Sequence, residues 1–298
     1  MDIRVLRYFL VVAREESITK AAQVLCMSQP PLSRQLKNLE DELGKQLFIR
    51  GNKKITLTED GVLLKKRAEE MISLMEKTMA ELGGLEETIT GDVYIGSGET
   101  EGCSFLAAAA QKIQQIHPQI RYRLYSGDAE RVQERLDKGL IDFGLFVGSV
   151  DVEKYDYLRL PVTDTWGVLM RKDSPLAAKK NICISDFHGQ PLIIPHQVSN
   201  SRDITSWLQT DISKLDIVAT YDLIYNASFF AKKGIGYAIT IKNLINTSGN
   251  SELCFRPLYP PLETGVCIAW KRHQVFSKAS NEFLIQLRSI CENPEHQI

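Results

Sequence analysis

Six cysteines are scattered through the 298 residues with no Cys-x-x-Cys pair, and the five histidines fall at no metal-ligand spacing. That usage argues against a disulfide framework and against a zinc site, and makes a reducing compartment the default. The first apolar run, Tyr8 to Ala13, is too short for a signal sequence, and no run approaches the length of a bilayer span. A cytoplasmic protein with no membrane partner is expected. There is no Gly-x-Ser-x-Gly elbow and no His-x-x-x-His pair, so no catalytic residue, metal or cofactor is expected.

Net charge is also nearly absent. The formal value of -1 does not advertise a polyanion partner for the chain as a whole. Its distribution does. Residues 1–58 hold ten Lys/Arg against six Asp/Glu, which leaves the remainder acidic. A basic head on an acidic body fits one nucleic-acid module joined to something else. The length suits two domains with ample core.

The most informative stretch runs from Ser17 to Glu40. Ser17 suits the N-cap of a first short helix, and Ala21 and Ala22 would let a crossing helix approach closely. A break falls at Cys26-Met27-Ser28. Ser28 can cap a second helix, whose first turn accepts Pro30 and Pro31 because no N–H partner is needed there. Leu32, Leu36, Leu39 and Leu43 recur at steps of four, three and four, which predicts one buried stripe. The opposite side carries Pro30, Ser33, Arg34 and Lys37, with Gln29 at its N-terminal end. Such a face suits the major groove, where Arg pairs with guanine and Gln with adenine. The plainer alternative is an amphipathic helical hairpin with a solvated face.

Ile3, Leu6, Phe9, Leu10 and Ala13 predict a preceding helix over 3–14 that covers the hairpin. After the stop signal Leu43-Gly44, two β-prone runs over 47–57 flank Gly51-Asn52-Lys53-Lys54, a hairpin with a cationic tip. Beside a helix-turn-helix it would serve as a wing against the sugar-phosphate backbone. Thr58 then caps a long helix opening on Glu59-Asp60. Leu64, Ala68, Met71, Met75, Thr78, Leu82 and Leu85 form a heptad seam with one polar member. Helical from Thr58 to Glu87, it would run ~45 Å, too long for the small head to cover alone. A dimerisation helix is favoured over a domain-capping one.

From Asp92 the pattern changes to alternating strands and helices. Strands are expected at 93–95, 121–125, 141–147, 166–170, 192–194, 216–220, 237–241 and 266–270. Helices are expected at 102–117, 130–138, 201–208, 224–232 and 277–291. The expected domains are 1–58 for the DNA-binding head, 59–90 for the linker helix and 91–298 for the body. The body reads as two α/β lobes, 91–161 plus 268–298 and 162–267.

At this point the head resembles the LysR-type transcriptional regulators. The motif residues are Phe9, Ser17-Ile-Thr-Lys-Ala-Ala, Ser28-Gln-Pro-Pro-Leu-Ser-Arg-Gln-Leu and Leu39-Glu40. It continues through Leu43-Gly44, Leu47-Phe48-x-Arg50 and Leu57-Thr58-x-x-Gly61. The body is similar more loosely, through Ile95-Gly96, His117-Pro118, Leu136-x-x-Gly139-x-x-Asp142 and Lys232-x-Gly234-Ile-Gly236. The resemblance implies a winged helix-turn-helix, a dimerising linker helix and an effector domain like periplasmic binding proteins. It implies action as a dimer of dimers at partly palindromic promoter DNA, through DNA bending and contacts with RNA polymerase. DNA contacts are then expected from Ser17, Thr19, Gln29, Pro30, Ser33, Arg34 and Lys37, with Arg50, Lys53 and Lys54 at the wing.

A small-molecule effector is expected between the lobes, against Ser97, Gly98, Glu99, Thr100, Val147, Pro195, His196 and Gln197. The resemblance puts Thr100 where a hydroxyl often meets ligand, while Gly98 stands where Ser or Thr is frequent. Glu99 and Glu101 bring negative charge to a loop that usually greets anions. Either the ligand is less anionic than usual, or the acids point to solvent, and the second is favoured because acids are mostly exposed. Cys103 near a helix start is expected to pack rather than react, since those acids oppose a thiolate.

Three rivals stand beside this reading. Gly96-x-Gly98-x-x-x-Gly102 is a near miss to a dinucleotide-binding turn, but Glu99 and Glu101 would repel a pyrophosphate there. A pure small-molecule binding protein would fit the body but not the basic head. An effector-independent, architectural DNA-binding protein stays open on the sequence alone.

Overall fold

A computed structural model describes residues 1–51, 54–82, 89–196, 202–208 and 214–292. The chain divides into two compact units, Met1–Gly83 and Gly84–Ile298.

The first unit opens with α1 (Ile3–Glu15), α2 (Ile18–Val24) and α3 (Gln29–Leu43). Asp2 caps α1 by accepting the Arg4 N–H at 2.8 Å, and Ser17 accepts the Lys20 N–H at the start of α2 at 3.4 Å. The break before α3 holds Cys26 at φ 53. Ser28 precedes α3 in an extended conformation, but its side chain makes no capping bond. Leu32, Leu36 and Leu39 are buried against Leu6, Phe9, Ala21 and Ala22. Leu43 departs from the expected stripe. It is 39% exposed because it stands in the last turn, where α3 stops at Gly44 with φ 63. That left-handed conformation is one glycine adopts without cost.

The wing is β1 (Phe48–Arg50) paired antiparallel with β2 (Ile55–Leu57), Phe48 opposite Leu57. Glu40 ties it to α3, one carboxylate oxygen accepting the Leu47 and Phe48 N–H groups at 2.7 and 3.2 Å. The Phe48 ring packs on Phe9 with centroids 5.2 Å apart. α4 (Glu59–Leu82) follows, capped by Thr58, whose hydroxyl accepts the Gly61 N–H at 3.0 Å and donates to the Gln46 carbonyl at 2.7 Å. A Cβ on Gly61 would lie 2.2 Å from the Leu47 carbonyl oxygen, so α4 crosses the wing backbone where only glycine fits. The described part of α4 spans ~36 Å at 1.5 Å per residue.

The second unit is built on one nine-stranded sheet. Its elements are β3 (Gly91–Ser97), α5 (Cys103–Ile116), β4 (Ile120–Ser126), α6 (Ala129–Asp137) and β5 (Phe143–Val147). Then come β6 (Tyr155–Arg171), β7 (Leu192–Pro195), α7 (Arg202–Leu208), β8 (Ile217–Tyr221), α8 (Ile224–Lys232) and β9 (Tyr237–Ile241). β10 (Leu253–Pro257), β11 (Glu263–Lys271) and α9 (Lys278–Glu292) complete it. The order is β4-β3-β5-β11-β6-β9-β7-β8, with β10 paired to β6. Pairing is parallel at each end and antiparallel through β5, β11, β6 and β9 in the middle. One large buried cluster holds Ile95, Leu106, Phe143 and Phe283, and another Val168, Phe187, Ile194 and Ile239; smaller ones form around Val132 and Phe146 and around Ile193 and Ile224.

Two sequence expectations change here. The strand expected over 166–170 starts at Tyr155 and runs 17 residues. Pro161 does not end it, because the register with β11 shifts between Gly265 and Cys267, opposite residues 160–162. A bulge leaves a residue unpaired, so the missing N–H of proline is not needed there. β10 was not expected; its run Leu-Cys-Phe-Arg-Pro does not alternate, and it exists by pairing with β6. Among the described residues no helix is long and apolar enough to cross a membrane.

Candidate DNA-reading face and interlobe cavity

The head sorts its cations by whether an acid holds them. Arg4 pairs with Asp2, Arg7 with Glu76, Arg14 with Glu15, Lys45 with Asp60 and Lys54 with Glu16. Among the described side chains of residues 1–58, Lys20, Arg34 and Lys37 remain without an acid partner, and all three are exposed on α2 and α3. Gln29, Pro30 and Thr19 are exposed on the same two helices, and the Thr19 hydroxyl lies 3.4 Å from the Gln29 side-chain oxygen. Ser17 and Ser33 are half-buried. At the wing Lys54 is exposed, Lys53 lies outside the described residues, and so does the side chain of Arg50. Free guanidinium and ammonium groups beside an amide and hydroxyls can meet both phosphate oxygens and base edges.

The expected dimer seam divides. Ala68 is fully buried inside the head, and Leu64 and Met71 pack against that same core. Ala68 thus spends its apolar surface within the chain and half-buried Leu64 and Met71 part of theirs, because α4 lies against α1 and closes the head. Met75 is half-buried and Thr78 exposed, while the side chain of Leu82 and all of Leu85 lie outside the described residues. Leu63, Leu74 and Met79 on other faces of α4 are exposed.

In the second unit a cavity of ≈ 160 Å³ lies between the two ends of the sheet, at the carboxyl ends of β3, β5, β7 and β8. Ligands in open α/β sheets gather at that edge. Gly98, Glu99, Val147, Pro195 and His196 line it as the sequence suggested, and Gln197 lies outside the described residues. Ser97 and Thr100 do not line it. The Ser97 hydroxyl turns onto the Gly98 carbonyl and Cys103 Sγ (2.5 and 3.2 Å), and the buried Thr100 hydroxyl accepts the Gly102 N–H at 3.0 Å. Both hold the loop rather than face the space. Cys103 is half-buried on the lobe core, as its expected packing role requires.

Glu99 corrects the expectation that the loop acids point to solvent. It reaches across the cavity and accepts the backbone N–H of Ile224, the first residue of α8. A carboxylate at a helix N-terminus is stabilised by the unpaired N–H groups and the helix dipole, by ~0.3–2 kcal/mol. Glu101 stays exposed, yet it accepts from Asn243 at 2.8 Å on the far side. Arg131 on α6 adds a third link, pairing with Asp222 at 3.1 Å.

Sequence reasoning missed most of the far wall. Trp166, Tyr221, Asp222, Thr240, Ile241 and Thr264 line the cavity. The Trp166 indole donates to Thr264 at 3.1 Å, and the Tyr221 hydroxyl donates to the Ile239 carbonyl at 2.6 Å. Burial, with the nearby charge of Glu99, pushes the Tyr221 phenol well above its ordinary range, so it stays a neutral donor. The available signal was the strand-to-helix turn after Tyr221, which repeats the one after Ser97.

Comparison with known proteins gives two family matches. Residues 3–62 match the model described as bacterial regulatory helix-turn-helix protein, lysR family, and residues 86–292 match the LysR substrate binding domain. The HTH-type transcriptional regulator BsdA of Bacillus subtilis is 34% identical over 222 residues, covering 73% of this chain and 74% of that protein. A probable RuBisCO transcriptional regulator of Porphyra purpurea is 27% identical over 97% of this chain and 87% of its own. Full-length CbnR, solved in complex with its target DNA, superposes with a TM-score of 0.75 at 16% identity. That match covers 97% of this chain and 99% of CbnR.

Proposed function

The chain belongs to the LysR family of transcriptional regulators, and on that premise we propose how its residues perform the family's work. It is a DNA-binding regulator with a substrate-binding domain. Its head reads DNA through Gln29, Pro30, Ser33, Arg34 and Lys37 of α3, with Ser17 and Thr19 at α2 and Arg50, Lys53 and Lys54 at the wing. The observation that carries this is the set of unpaired cations on α2 and α3 in a head whose other described cations are held by acids. Phosphate contacts supply most of the affinity, which falls steeply with salt. The site is double-stranded promoter DNA, partly palindromic because the protein is symmetric.

A small molecule binds in the cavity between the lobes, and Glu99, Gly98, Val147, Pro195, His196 and Gln197 meet it. Ser97 and Thr100 set the loop. The lobes meet at 161/162 and 267/268, inside β6 and β11, the two strands that run through both. Ligand trades against the Glu99, Glu101 and Arg131 contacts and shifts the lobes, with a coupling of ~1–3 kcal/mol. The readout passes through DNA bend and contact with RNA polymerase, in the cytoplasm, with no enzymatic step. The head spans 1–58, the linker 59–90 and the body 91–298.

The test is a footprint on the DNA upstream of the gene encoding this protein, with and without metabolites. A protected, partly palindromic region that shortens or shifts with one metabolite is expected. Absence of protection at low salt would overturn the DNA-reading assignment. Protection indifferent to every metabolite would favour the effector-independent reading.

Association as a dimer, and as a dimer of dimers, rests on α4. Its seam continues past the head from Met75 through Leu82 to Leu85, and Leu74 and Met79 leave further apolar surface uncovered. A fragment of residues 1–90 is expected to sediment as a dimer, weakened by Met75→Glu. Monomer alone at all concentrations would contradict the assignment.

A further inference from the structure

Among the described lining residues the acids of the cavity wall, Glu99, Asp128 and Asp222, face no Lys or Arg. Arg131, just outside, accounts for two of the three: it pairs with Asp222 at 3.1 Å and stands 3.9 Å from the Asp128 carboxylate, which also accepts its N–H at 2.8 Å. Among the described residues Glu99 has no cationic partner. One of its oxygens takes the Ile224 N–H and the other is free for a ligand.

A second carboxyl lies beneath that wall. Asp164 on β6 is register partner of Thr264 and stands two residues from Trp166, so its side chain shares their face of the sheet. Thr264 and Trp166 line the cavity. Asp164 is 1% exposed, and neither of its oxygens has a hydrogen-bond partner of good geometry. The Thr100 hydroxyl and Glu101 N–H face it more loosely, and burial outweighs them, raising its pKa above the ordinary carboxylate range. Leu145, Phe146, Val147, Trp166, Ile241 and Leu244 make much of the remaining wall apolar, with His196, Tyr221, Thr240 and Thr264 as its other polar groups.

An anion entering this space would meet uncompensated negative charge. It would also find the α8 N-terminus, the natural anion seat of the cavity, already filled by Glu99. A cation meets the reverse situation, a carboxylate without a described cationic partner at one end of a largely apolar pocket. We propose that the effector cavity takes a small organic cation, an ammonium group on a short apolar body, with Glu99 receiving its charge. The inference rests on the cavity being the effector site and adds the chemical class.

The test uses full-length protein and ligands matched in shape but opposite in charge: 2-phenylethylamine against phenylacetate, and butylamine against butyrate. Thermal unfolding and isothermal titration read binding. The amines are expected to raise the melting temperature and to bind at least about tenfold more tightly than their acids. Glu99→Gln keeps an acceptor for the Ile224 N–H but loses the charge, and is expected to erase that preference while the far-UV spectrum stays unchanged. Tighter binding of the acids, equal binding of both, or an amine preference that survives Glu99→Gln would each overturn the class. So would the absence of binding by any of the four. The effector reading itself falls only if pooled cellular metabolites also leave the melting temperature and the footprint unchanged, which separates the two failures.

Discussion

Arg34→Ala is expected to weaken binding to the protected promoter site by roughly 5- to 150-fold, the ~1–3 kcal/mol that one base-reading guanidinium contributes. The side chain is exposed and makes no hydrogen bond or ion pair among the described residues, so truncation should leave folding stability within ~0.5 kcal/mol. Any loss then belongs to the DNA contact. A guanidinium paired to a guanine would also relax selectivity at one base pair, visible when each position of the site is varied in turn. One that meets a phosphate would lower affinity for all sequences alike and reduce the salt slope by about one. Unchanged affinity would remove Arg34 from the recognition face. Lys37→Ala, one turn further along, is the natural comparison.

Most of the head was legible because its signals are local. The leucine spacing fixed the buried side of α3, and the tandem prolines fixed its start, where an absent N–H costs nothing. Leu43 was misread because periodicity says which side of a helix an apolar residue occupies, not whether any core reaches that far. Glu40 and Gly61 stood in the motif without a reason. The structure supplies one for each: a carboxylate that takes two N–H groups of the wing, and a helix crossing a carbonyl too closely for any Cβ. Both are contacts between segments that spacing along one helix cannot reveal.

The seam of α4 shows the same limit in reverse. Ala68 of its heptad is buried in the head's own core, and Leu64 and Met71 pack partly against it. A hydrophobic stripe states that something covers it, and the covering partner is decided elsewhere in the chain. In the body, the strands β3, β4 and β9 and the helix α8 were legible from the succession of strand and helix runs. The cavity was half legible. Its near wall follows a strand-to-helix loop that looks like a ligand loop. Its far wall comes from Tyr221, Asp222 and Thr264, which meet the near wall only once β6 and β11 have carried the chain between the two ends of the sheet. Composition favoured a solvent-facing Glu99, and what overrode it was a helix N-terminus across the cavity, invisible without the fold.

Asp142→Ala is expected to be the most destabilising of these changes, by roughly 3 kcal/mol or more. The residue closes the motif Leu136-x-x-Gly139-x-x-Asp142, which from sequence alone could belong to either ligand or fold. It does not line the cavity and is 2% exposed. One of its oxygens accepts the Tyr94 N–H of β3 and the Ser280 hydroxyl of α9, each at 2.9 Å. Its own N–H returns to the Tyr94 carbonyl at 2.8 Å. The side chain therefore joins the C-terminal helix to β3, and its bond to Ser280 spans 138 residues of sequence. Alanine removes the carboxylate that both donors use, and losing such an acceptor costs ~1–3 kcal/mol per buried group; Ser280 is fully buried. Asn keeps an oxygen acceptor and should recover part of the loss. Urea unfolding of the two variants beside the parent protein measures this. A loss under about 1 kcal/mol for alanine would show that the motif is kept for something other than this junction.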